Sequence, residues 1–169
     1  LVTEAIAPSF RVTEQARFRP KLISVEELKG FDAGLLANYA VVCLLDPPSL
    51  SPKQWNQLVN YAQEGGNVAL FLGHDASKSN FNGDTAQELL PGRLDRQWRS
   101  GVRPADFDGW ADIYLAPRTL EHPMLAAFRD IATNVPWANF PVFRHWSFEG
   151  GRLRDGASVA VRYSNGQPA

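Results

Sequence analysis

Two runs in the first half of the chain are apolar without interruption. Tyr39-Ala40-Val41-Val42-Cys43-Leu44-Leu45 is rich in β-branched residues and stops at Asp46-Pro47-Pro48, while Asn67-Val68-Ala69-Leu70-Phe71-Leu72 stops at Gly73. Unbroken apolar runs of this length, bounded by turn residues, predict strands covered on both faces, as inside parallel sheets. Between them the period changes. Ser51-Pro52-Lys53-Gln54 offers an N-cap, a proline at the first helical position and a glutamine to complete a capping box. Trp55, Leu58, Val59 and Ala62 then recur at i, i+3, i+4 and i+7, a single apolar stripe that predicts a helix lying on the sheet. Gly65-Gly66 ends it, the first glycine taking the left-handed cap. Strand, helix and strand in this order predict a right-handed βαβ unit.

The pattern is weaker elsewhere. Residues 1–7 read as the tail of a helix ended by Pro8, and Phe10-Arg11-Val12-Thr13 as a short strand. Residues 85–90 predict a short helix, 93–103 a polar connection carrying Trp98, and 111–115 a strand. Residues 123–131 predict a helix with Met124, Leu125, Phe128 and Ile131 turned inward. Residues 142–148 and 157–163 predict antiparallel strands around Glu149-Gly150-Gly151, and Ser164-Asn165-Gly166 supplies a tight hairpin turn. The expectation is one α/β domain over 1–169, a three-layer core with a β-rich excursion in its second half. Its start at Leu1-Val2-Thr3-Glu4 and the short return strand Gln167-Pro168-Ala169 suggest an excised and truncated part of a longer polypeptide.

Composition narrows the function classes. The 169 residues are 44% hydrophobic and 21% charged, which excludes disordered, collagen-like and coiled-coil chains. Seventeen Lys and Arg against eighteen Asp and Glu give a net charge of -1, so no global field draws in nucleic acid or an anionic membrane. The single cysteine forms no internal disulfide, and no apolar run approaches the ~20 residues that span a bilayer. Membrane contact is therefore expected only through segments outside this chain.

Chemistry in an open parallel sheet gathers at the carboxyl ends of the strands, here Asp46-Pro47-Pro48 and Gly73-His74-Asp75. The stretch Ala69-Leu70-Phe71-Leu72-Gly73-His74-Asp75 is similar to the nucleophile elbow of class I glutamine amidotransferases, Gly-x-Cys-x-Gly-His-Gln. On that match Phe71 stands at the position of the nucleophilic cysteine, in a sharp strand-to-helix bend, and a phenyl ring attacks no carbonyl. Pro47 and Pro48 likewise remove two backbone donors from the place of the oxyanion turn. The pieces from Tyr39 to Leu94, with His122-Pro123-Met124-Leu125 and the closing Asn165-Gly166-Gln167-Pro168-Ala169, resemble a narrower group. These are the amidotransferase-like domains of bacterial membrane proteins that also carry an N-terminal double-transmembrane segment and a von Willebrand A domain. The resemblance implies a flavodoxin-like, mostly parallel sheet and a non-catalytic interaction or scaffold role without catalytic residues, cofactor or metal. It further implies tethering to a membrane through other segments, with other domains of the same polypeptide or a protein partner as contacts, and no nucleic acid.

A second reading, a hydrolase or small-ligand sensor, would use His74, Asp75 and Asp46 at the carboxyl edge. The bland alternative for His74 and Asp75 is loop capping, and for Cys43 a buried packing role rather than a reactive thiol. His122 before Pro123 reads as a loop end. Asp106, Asp108 and Asp112 lack the spacing of a calcium loop and read as a solvated acidic loop. Arg93, Arg96, Arg99 and Arg103 around Trp98 suggest either a single-strand-binding stripe or a solvated face, the latter being commoner on a neutral domain. Trp110, Trp137 and Trp146 are candidates for an interaction surface.

Overall fold

The computed structural model describes residues 19–99 and 113–169. The chain enters through two one-turn helices, α1 (Val25–Leu28), capped by Ser24, and α2 (Ala33–Leu36), capped by Asp32. One turn is too short for a 3.6-residue period to be read, so periodicity did not mark them. The central unit follows the expectation: β1 (Val41–Leu45), α3 (Pro52–Gln63) and β2 (Asn67–Phe71), with the two strands parallel. The capping box is formed at Ser51, whose Oγ accepts from the Gln54 amide at 3.4 Å while Gln54 Oε1 accepts from the Ser51 amide at 2.9 Å. Gly65 closes the helix at φ 95°, a conformation glycine adopts without steric cost.

Trp55, Leu58, Val59 and Tyr61 of α3 are buried. Each such side chain contributes about 1.5–3 kcal/mol through removal from water. Against them pack Val42, Leu44, Val68 and Leu70, which by strand alternation share one face of the parallel pair. Leu28, Leu36, Phe81 and Leu94 join the same core. The opposite face carries Val41, Leu45 and Phe71, which are 44%, 42% and 58% exposed. The expectation of strands buried on both faces is corrected here. Among the described residues the helices that pack on the sheet share one face, and Val41, Leu45 and Phe71 on the other are left exposed.

The fold is mixed α/β, with one parallel pair and one antiparallel pair among the described residues. Two one-turn helices, α4 (Lys78–Phe81) and α5 (Asp84–Gln87), lead to β3 (Leu94–Arg99), which lies in the region read as a polar connection. Its partner is β4 (Arg144–Phe148), antiparallel, with Gln97 opposite Trp146, Trp98 opposite His145 and Arg99 opposite Arg144. Residues 142–148 were expected to pair with 157–163 instead. Glu149–Gly151 does form a tight turn, with Gly150 at φ 59° and Gly151 at φ 65°. The chain then runs toward residue 91, where the Arg154 amide donates to Pro91 O at 2.7 Å, and not alongside β4.

Tyr114, Leu115, Arg162 and Tyr163 form single bridges in place of the strands expected at 111–115 and 157–163. The hairpin around Ser164-Asn165-Gly166 is present, with Gly166 at φ 83° and the Tyr163 amide donating to Gln167 O at 2.9 Å. Pro123–Asn134 is a run of 3₁₀ turns rather than an α-helix. Leu125 is buried, but Met124 and Ile131, expected inward, are 76% and 48% exposed, so little packing holds an α-helical pitch. The elements expected at 1–7 and 10–13, and the candidates Arg103, Asp106, Asp108, Trp110 and Asp112, lie outside the described residues.

Candidate functional site

The ends of β1 and β2 are locked together by Asp46. Its amide donates to Phe71 O at 2.8 Å, adding a rung beyond the strand, and its backbone then turns at φ 45°. Among the described residues it is the one non-glycine with positive φ, a conformation that aspartate tolerates better than most residues. The turn aims its carboxylate at the loop after β2. Oδ1 accepts from the amides of Gly73 at 3.1 Å and Asp75 at 2.9 Å, and Oδ2 accepts from the His74 amide at 2.9 Å. Gly73 is required for this approach, because a Cβ there would lie 2.5 Å from Asp46 Cγ.

Three successive backbone amides converging on one carboxylate form an anion-binding nest. The anion it holds is the protein's own side chain. Those three bonds engage most of the roughly four lone-pair positions of a carboxylate, which leaves Asp46 little capacity to act on a ligand without release of the loop. The structure therefore brings Asp46 together with the residues His74 and Asp75, but through their main chain. Both of their side chains are exposed. Pro47 is buried beneath the turn and Pro48 is exposed.

Phe71 is the last residue of β2, paired with Leu45, and its ring is largely in solvent. The chain continues through a loop, and the next helix begins only at Lys78. The sharp strand-to-helix bend expected at Phe71 is absent, since a helix must start within a residue or two of the strand to make an elbow. The conformational special case at this edge is Asp46.

Two further residues define the edge. Gly73 O accepts from Gln97 Nε2 at 2.6 Å and from Trp146 Nε1 at 3.0 Å, which fastens the antiparallel pair to the loop after β2. From the sequence Trp146 is a candidate only for an interaction surface, and nothing singles out Gln97. The alternation over 144–148 was the available signal, since it separates His145 and Ser147 from Trp146 and Phe148.

The remaining candidates are dispersed. Arg93 pairs with Glu149 at 3.5 Å, Arg96 lies 3.6 Å from the Trp98 ring centre, and Arg99 is paired with Arg144 across the strands, so these three described arginines each meet a different partner. His122 caps its own turn, Nδ1 accepting from the Met124 amide at 3.3 Å. Cys43 is half-buried rather than buried and lines a cavity of about 90 Å³ with Lys21, Phe31 and Tyr39. Trp137 lines an apolar hollow of about 390 Å³ with Leu115, Phe140 and Val142. Among the described residues no three His, Cys, Asp or Glu side chains are grouped to hold a metal ion, and no helix is long and apolar enough to cross a membrane. No protein-family model, no curated protein and no solved structure matches this chain.

Proposed function

We propose that this chain is a non-catalytic interaction or scaffold domain that docks against another domain of the same, larger, membrane-anchored bacterial polypeptide. The observation that carries this reading is the open face of the parallel pair. Val41, Leu45 and Phe71 stand exposed on it, while the mixed polar edge next to it is closed by Asp46. Three large apolar side chains projecting from one sheet face offer a surface that gains by being covered. The resemblance to amidotransferase-like domains of membrane-tethered proteins, and its flavodoxin-like three-layer architecture, point the same way. In a three-layer arrangement this face has a covering layer.

The test uses the full-length polypeptide and the substitution Phe71→Asp. Phe71 is 58% exposed, so the change costs the isolated domain less than about 0.5 kcal/mol. Association of the separately expressed domain with the remainder of its polypeptide, measured by titration calorimetry, is expected to weaken at least about tenfold. Unchanged association would overturn the proposal. The competing reading, a ligand sensor or hydrolase at His74, Asp75 and Asp46, is favoured by the assembly of those three positions at one strand edge. His74→Ala and Asp75→Ala separate the two: they leave domain association untouched and abolish binding or turnover of any small ligand held there.

A further inference from the structure

The ladder of the parallel pair fixes which main-chain groups of β1 are used and which are left over. In an extended strand successive residues turn their N–H and C=O groups to opposite edges. Asp46 N donates to Phe71 O, and the register runs from Val41 opposite Asn67 to Leu45 opposite Phe71, so the main chain of residues 42 and 44 faces β2. The N–H and C=O groups of Val41, Cys43 and Leu45 therefore face the outer edge, and among the described residues they have no hydrogen-bond partner. Soluble domains guard a free edge with charge, proline or a bulge. Val-Val-Cys-Leu-Leu carries neither charge nor proline, and its five rungs run without a register shift.

An apolar cavity adjoins this edge. A space of about 90 Å³ is lined by Val41, Val42 and Cys43 together with Ile23, Leu36 and Tyr39. Alternation puts Val42 on the face opposite to Val41 and Cys43, so a cavity touching all three lies beside the strand and over neither face alone. Leu36 belongs to the core and Ile23 packs against it, so the cavity continues the core sideways past β1. Lys21 is the one charged group among the described residues lining it, and its ammonium lies 5.0 Å from the Phe31 ring centre. An apolar side chain fits such a lining.

Resting on the docking to another domain proposed above, we infer that the docking element is an extended apolar segment of the remaining polypeptide, which adds to β1 as a further strand. It pairs with Val41, Cys43 and Leu45 and seats one side chain in the cavity. Main chain in strand conformation repeats its donors and acceptors every two residues, about 6.6 Å, which is the spacing of the three unused pairs. Alternate side chains of an added strand reach the cavity on one side and the open face on the other. The two surfaces are continuous, because Val41 and Leu45 offer their side chains to the open face and their main chain to the edge. A second copy pairing through its own β1 would not fill the cavity, since its Val42 and Leu44 are packed in its own core.

Hydrogen exchange in this domain alone and in the full-length polypeptide tests the added strand. The amides of Val42 and Leu44, which face β2, are expected to be protected in both. Those of Val41, Cys43 and Leu45 are expected to exchange freely in the domain and to gain at least about tenfold protection in the full-length polypeptide. Cys43→Pro removes an outward N–H without touching the β1–β2 bonds, and is expected to weaken association of the domain with the remainder of its polypeptide at least about tenfold by calorimetry. Should that variant fail to fold, Val41→Pro, at the first residue of the strand, makes the same test. Association that persists while Val41, Cys43 and Leu45 still exchange freely, or that neither proline weakens, overturns the added strand and leaves docking through Phe71 standing. Absence of any association overturns both. Protection of the three amides already in the isolated domain overturns the added strand as well, and points to a second copy where it rises with concentration.

Discussion

Asp46 shows how far a residue's role is decided by its neighbours' main chain. Its carboxylate holds three amides of the loop after β2, and its positive φ is what aims it there. Asp46→Ala removes the acceptor and places an ordinary Cβ residue in the left-handed region, so urea denaturation is expected to show a loss of about 2–3 kcal/mol. Asp46→Asn keeps a side chain that tolerates this conformation and one acceptor oxygen, and its expected loss is about half as large. Equal stability of Asp46→Ala and wild type would mean that water replaces the carboxylate without cost. The position of this site was legible in the sequence, because strand ends followed by Asp-Pro-Pro and Gly-His-Asp mark a carboxyl edge. Its working was not: the side chains of His74 and Asp75 drew attention, while the structure uses their amides, which carry no residue signature.

At the scale of elements, legibility follows the range of the interactions. The start of α3 depends on groups three residues apart, Ser51 and Gln54, and is written locally. Ser51→Ala is expected to cost about 1 kcal/mol and Leu58→Ala, at a side chain with no exposure, about 2–5 kcal/mol, both read from chemical denaturation. A smaller loss at Leu58 than at Ser51 would contradict the packing of α3 on the sheet. By contrast, β3 is a strand because β4, far along the chain, supplies its ladder. Its own sequence, Leu-Asp-Arg-Gln-Trp-Arg, has no clean alternation, and the register shift between Leu94 and Gln97 breaks what alternation there is. The glycine turn after β4 suggested a hairpin with 157–163, but a turn residue fixes only the local reversal, and the strand it leads to is chosen by distant partners.

For the molecule as a whole, the junction between the two sheets rests on the Gly73 carbonyl. Gln97 and Trp146 face each other across β3 and β4 and both donate to that oxygen, so each is a substitute for the other. Leu94, buried in the common core, and Asn82, whose side chain bonds both Leu94 N at 2.7 Å and Leu94 O at 2.9 Å, tie the same sheet to the helices. The two sheets therefore share one core, and a single cooperative transition is expected. Gln97→Met or Trp146→Phe alone leaves the carbonyl with one donor, whereas the double variant leaves it with none. A double-mutant cycle on unfolding free energies is accordingly expected to be non-additive, the double variant losing about 1 kcal/mol more than the sum of the single losses. Strict additivity would show that solvent satisfies the oxygen once both side chains are gone. The coupling between sheets would then rest on the apolar core around Leu94 and Phe148, not on this shared acceptor.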